Sequence, residues 1–136
     1  MEPRVIRITQ NDLNHLRDVI HEAENSGYRH SIHINQLKKE LERAEIVQAQ
    51  AMPSDVITMN STAILTDLEE KESMQLTLCY PQDARGENRV SVLAPIGCAM
   101  LGYRAGDEFE WQTPAGMVRM RVEQVLYQPE AVGVYD

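Results

Sequence analysis

The sequence predicts an α+β protein. A short N-terminal antiparallel helical hairpin, packed as a coiled coil, occupies residues 1–51, and an antiparallel sheet with one short helix occupies residues 52–136. Three observations predict this arrangement. Apolar residues recur every three or four positions in two early segments, Met52-Pro53 breaks helical geometry, and apolar residues then alternate at the period of half-buried strands.

In chain order, Val5, Ile6 and Ile8 form a short extended lead, and Asn11 or Asp12 is expected to cap the first helix. Leu13, Leu16, Val19 or Ile20, and Ala23 then share one face, predicting a helix over about residues 12–24 that ends at Asn25-Ser26-Gly27. After Tyr28-Arg29-His30 a second helix is expected over about residues 33–50, with Ile34, Leu37, Leu41 and Ala44 on one stripe. Its other faces carry Lys38, Lys39, Glu40, Glu42, Arg43 and Glu45, a mixture of signs that reads as a solvated surface. At ~1.5 Å per residue the two helices would be about 20 Å and about 27 Å long. Joined by a short loop, they should fold back on each other, since each alone would be marginal in water. The same apolar stripe can pair between chains, so a homo-oligomer is also open.

Beyond Pro53, strands are expected over residues 55–60, 63–67, 74–80 and 89–93, with the acidic run Asp67, Glu69, Glu70, Glu72 as a solvated loop. Pro95 suits the first turn of a helix and Gly102 the left-handed position that ends one, so residues 96–101 read as a short helix. Gly106-Asp107 turns the chain into a strand over residues 108–113, where Phe109 and Trp111 alternate with Glu108, Glu110 and Gln112. Pro114-Ala115-Gly116 reverses direction. In the last strand Val118, Met120 and Val122 face opposite to Arg119, Arg121 and Glu123, and Val125-Leu126 put a bulge near Gln124.

Composition narrows the function. At 43% hydrophobic and 25% charged, the chain reads as a soluble globular protein. No run approaches the ~18 apolar residues of a membrane span and residues 1–13 lack a signal-peptide core, so a cytoplasmic location without membrane attachment is expected. Cys79 and Cys98 have no paired spacing and read as small buried side chains. The net charge of −8 is uneven: residues 52–136 carry thirteen acidic and six basic side chains. Autonomous binding to DNA or RNA is disfavoured, because phosphate contacts need clustered Lys and Arg; a basic protein surface is the better partner.

Ala94-Pro95-Ile96-Gly97-Cys98-Ala99, the strands and turn that follow to Pro129, and the segments 52–61 and 77–84 together resemble the bacterial Gre transcription elongation factors. Within that family the likeness is to the short-hairpin Rnk type, the regulators of nucleoside diphosphate kinase. The resemblance implies an FKBP-like C-terminal domain and RNA polymerase as partner, with the globular part docked at the rim of the secondary channel. It further implies a helical hairpin aimed toward the active centre, where acidic tip residues of the cleavage factors help hold a catalytic metal.

The candidate docking residues are Leu93, Ala94, Pro95 and Ile96, which match the family's polymerase-facing segment. The expected tip is Asn25, Ser26, Gly27, Tyr28, Arg29 and His30, which contains no carboxylate. A short hairpin with a basic tip argues for a non-catalytic regulator that competes with longer Gre factors. Mg²⁺ chemistry needs carboxylate oxygens, so no cofactor, metal or catalytic residue is assigned. The alternative is metal-assisted transcript cleavage at the hairpin tip through Glu22 and Glu24. Prolyl isomerisation rests on fold likeness alone. His15, His21, His30 and His33 read as surface imidazoles, and neither a phosphate-binding glycine loop nor a nucleophile elbow occurs.

Overall fold

The computed structural model describes residues 4–28 and 31–134, with only the backbone of Tyr28. The chain opens with β1 (Arg7–Ile8), α1 (Gln10–Ala23), α2 (Ile32–Glu42) and β2 (Glu45–Ile46). Then come β3 (Thr62–Asp67), β4 (Glu72–Cys79), β5 (Arg89–Ser91), α3 (Pro95–Met100), β6 (Glu108–Thr113) and β7 (Gly116–Tyr127). The last five strands form one sheet in the order β5-β4-β3-β7-β6.

Local chemistry explains why α1 starts where it does. Thr9, not Asn11 or Asp12, is the cap: its Oγ1 accepts the Asp12 N–H at 3.2 Å. Asp12 instead turns inward, where its carboxylate accepts the Tyr80 hydroxyl at 2.9 Å. Ser31 caps α2 in the same manner, accepting from Ile34 N–H at 3.2 Å.

The second helix is much shorter than its stripe predicts. It stops at Glu42 because the chain beyond it pairs with β1: Glu45 N–H donates to Ile6 O at 2.8 Å and Val47 N–H to Ile8 O at 2.9 Å. β-Branched Ile46 and Val47 favour that ladder over another helical turn. At 14 and 11 residues, the helices span about 21 Å and about 17 Å. Glu40, expected on a solvated face, is 7% exposed and paired with Arg4.

In the sheet, β3 pairs antiparallel with both β4 and β7, and β6 antiparallel with β7. The fourth pairing departs from the expected antiparallel sheet, because β5 runs parallel to β4. A single helical turn at Pro81–Asp83 carries the chain back before β5 begins. Residues 55–60 also depart from expectation: the segment forms an isolated bridge, Val56 to Arg104, rather than a strand. Its backbone donors go to scattered partners rather than one ladder: Ile57 N–H to Tyr103 O, Asn60 N–H to Leu78 O, and Thr58 N–H to Ser61 Oγ at 2.9 Å. The bulge near Gln124 is present as a register shift opposite Ile64 and Leu65, and a second shift follows opposite Thr62 and Ala63. The acidic run folds into a turn, with Asp67 Oδ1 accepting the N–H groups of Glu69 and Glu70.

One apolar cluster holds these parts together. Leu13, Leu16 and Ile20 from α1 and Ile34, Leu37 and Leu41 from α2 lie in the same core as Leu65, Leu78, Phe109, Met120 and Val122 from the sheet. The helical stripe is therefore filled within the chain. The α2 residues Ile34 and Leu37 are fully buried, each worth roughly 1.5–3 kcal/mol of transfer free energy.

Candidate partner-docking surface

The residues from Leu93 to Ile96 span the turn after β5 and the start of α3. Val92 is fully buried and its N–H donates to Cys79 O at 2.9 Å, fixing the end of the sheet edge. Ser91 then folds the chain over: its Oγ accepts Leu93 N–H at 3.0 Å and its carbonyl accepts Ala94 N–H, also at 3.0 Å. Ala94 caps α3 and Pro95 occupies its first turn, as the proline geometry requires. The structure thus brings the four predicted residues together. Pro95 is exposed, while Leu93, Ala94 and Ile96 are half-buried, with Leu93 and Ile96 packed against the core.

Close packing holds α3 to this edge. A Cβ built on Gly97 would lie 1.9 Å from Ser91 O, so only glycine lets the helix approach that far. Cys98 Sγ donates to Val92 O at 3.0 Å, and burial pushes its thiol pKa up to about 12, far from a reactive thiolate. Burial also raises Cys79, so both cysteines are inert packing groups.

The far end of α3 is held by Arg4, which pattern reading assigned no role. Its guanidinium donates to the carbonyls of Cys98 at 2.5 Å, Leu101 at 2.8 Å and Ala99, and pairs through Nε with Glu40 of α2 at 2.9 Å. A cation at a helix C-terminus satisfies the last carbonyls and complements the dipole. The same guanidinium lies 5.5 Å from the centroid of the Tyr103 ring. Gly102, with φ 89°, ends α3 in the left-handed conformation expected of it.

At the expected tip, Asn25, Ser26 and Gly27 are exposed, and Gly27 has φ 103°. Arg29 and His30 lie outside the described residues. Glu22 is exposed on α1. Glu24 is not free: Lys38 Nζ lies 3.0 Å from its Oε2. Among the described residues no group of three or more His, Cys, Asp or Glu gathers in a metal-holding arrangement.

A second polar cluster also escaped pattern reading. Tyr80 donates to Asp12 while stacking on His15 at 3.8 Å between ring centroids. Burial pushes the Asp12 carboxyl up to about 6, aided by nearby Glu130, and pushes the Tyr80 hydroxyl up as well. Glu130 in turn accepts from Thr58 Oγ1 at 2.7 Å. These residues come from four separated stretches, so spacing carries no signal for them.

With this geometry in view, comparison with known proteins defines the class. Residues 52–127 match the family described as Transcription elongation factor, GreA/GreB, C-term, and the chain belongs to that family. Among individual relatives, it is 42% identical over 101 residues to the regulator of nucleoside diphosphate kinase of Escherichia coli K12, covering 73% of this chain and 74% of that one. It is 28% identical over 97 residues to transcription elongation factor GreA of a Nitratiruptor species, covering 71% of this chain and 60% of that one. Among solved structures, a prokaryotic transcription elongation factor GreA/GreB from Nitrosomonas europaea superposes with TM-score 0.75 at 35% identity, over 93% of this chain and 100% of that chain. These likenesses place the chain among transcription-related regulators. No helix among the described residues is long and apolar enough to cross a membrane.

Proposed function

We propose that the protein is a non-catalytic regulator that binds RNA polymerase at the entrance of its secondary channel and competes there with longer Gre factors. In this reading residues 52–136 are the FKBP-like docking head and residues 1–51 the family's helical hairpin in shortened form. Leu93, Ala94, Pro95 and Ile96 make the docking contact. Exposed Pro95 sits at their centre, with α3 clamped at one end by the Gly97 approach and at the other by Arg4.

The observation that carries the non-catalytic part is the Glu24 to Lys38 ion pair at 3.0 Å. A lysine ammonium beside one of the two candidate carboxylates opposes a divalent cation there. The helices of 14 and 11 residues support the same reading, because their apolar faces are spent on the sheet core.

The test is a competition on core polymerase against a Gre factor, with transcript length read in the same tube from stalled elongation complexes. The expected result is displacement of the Gre factor without shortened transcripts, and weaker displacement by Pro95→Asp. Shortened transcripts that disappear with Glu22→Gln/Glu24→Gln would establish cleavage instead. A wild-type protein that never binds core polymerase overturns the docking reading.

A further inference from the structure

The open edge of the sheet faces a slot that the docking reading does not use. Strand order ends at β6, so one side of that strand has no strand neighbour. Among the described residues, no backbone group on that side of β6 pairs with another element's backbone. A cavity of about 380 Å³ runs beside it, meeting Glu110, Trp111 and Gln112 in succession. Successive strand residues point to opposite faces, so a cavity that touches three in a row lies along the strand's edge. The rest of its lining comes from α2, where Ile32 and Gln36 lie one helical turn apart, from Cys98 and Ala99 of α3, and from Tyr103 and the Arg4–Glu40 pair.

Three features of this slot are unsatisfied. Trp111 Nε1 is buried and has no hydrogen-bond partner, a cost of about 1–3 kcal/mol if left unmade. Ile32 and Met117, at the rim, are 64% and 49% exposed. Glu110 makes no ion pair among the described residues, whereas Glu108 on the same strand is paired with Arg119 at 2.8 Å.

We propose that this slot binds an extended segment of a partner protein, which adds to β6 as a further strand with apolar and basic side chains alternating. Backbone pairing along an open edge supplies affinity, and pockets for alternate side chains supply specificity. An apolar side chain packs against Ile32 and Trp111 on one face, and a cationic side chain meets Glu110 on the other. A second copy of this chain fits worse. Its own β6 would bring Glu108 and Glu110 against the same residues. The site is separate from the turn at Leu93 to Ile96 and stands whether or not that turn docks on polymerase.

Trp111 is the chain's one tryptophan, so it reports occupancy directly. The experiment titrates the full-length protein with a capped hexapeptide of alternating lysine and valine and follows indole fluorescence. A saturable spectral shift is expected, weakened roughly tenfold by Glu110→Lys, the scale of one lost charge-assisted contact. A peptide with N-methylated valines, or with glutamate for lysine, should produce no shift, while Pro95→Asp should leave the affinity unchanged. Circular dichroism and a thermal melt confirm that Glu110→Lys is folded. Absence of a saturable response overturns the proposal, as does equal binding of the N-methylated peptide. So does sedimentation showing a wild-type dimer that Met117→Lys dissociates, which would assign the slot to a second copy.

Discussion

Arg4 concentrates several interactions in one side chain, with 5% of it exposed opposite a Glu40 side chain at 7%. Arg4→Ala would leave the Glu40 carboxylate buried without its cation and the last carbonyls of α3 uncapped. A loss of about 3–5 kcal/mol is expected, the range for breaking one partner of a buried pair, read from urea unfolding. Arg4→Lys should recover only part of it, because a single ammonium lacks the fork that reaches Glu40 and the carbonyls together. Asp12 predicts the opposite of the usual acid behaviour. Its pKa rises from 3.8 to about 6 on folding, chiefly through burial. The folded protein therefore holds a proton that the unfolded chain has released between those values, and the stabilisation present below pH 3.8 is lost as pH rises through 6. The change should be on the order of 2–3 kcal/mol. Asp12→Asn keeps an acceptor for Tyr80 and should flatten that slope, leaving the variant more stable than wild type at pH 8.

At the scale of elements, α3 is set by two neighbours, and Gly97→Ala tests the first. With a Cβ 1.9 Å from Ser91 O, the helix must lift from the β5 edge at a cost of about 1–3 kcal/mol or more. Amide chemical shifts should move first at residues 91–96, and the proposed polymerase contact should weaken with them. The elements legible in the sequence are those specified by their own residues. The β6 alternation, the Pro114 to Gly116 reversal, and α3 with its proline start and glycine end all appear where local chemistry puts them. The elements missed depend on distant partners. Helix α2 stops early because Glu45 and Val47 find β1, and β5 is parallel because of where the turn at Pro81–Asp83 delivers it. The proline start of α3, which follows the turn proposed for docking, was legible in the sequence. Arg4, Asp12 and the Trp111 slot were not, since each is made by residues far apart in the chain.

For the molecule as a whole, the helices and the sheet share one apolar cluster, so they should unfold together. Leu37→Ala, at a fully buried position of α2, should cost about 2–5 kcal/mol. It should shift the helical circular dichroism and the Trp111 fluorescence transitions by the same amount. Two separate midpoints would mean that the helical segment melts independently of the head. The shared core also bears on how the fold tolerates change in length. Parallel β1 and β2 bring the start and finish of the helical excursion side by side, Arg7 against Glu45 and Ile8 against Ile46. Neighbouring strands lie roughly 4.8 Å apart, so the excursion is a closed detour whose stem is fixed. Residues inserted at its far end, between α1 and α2, would leave those two rungs and the helical contacts with the sheet in place.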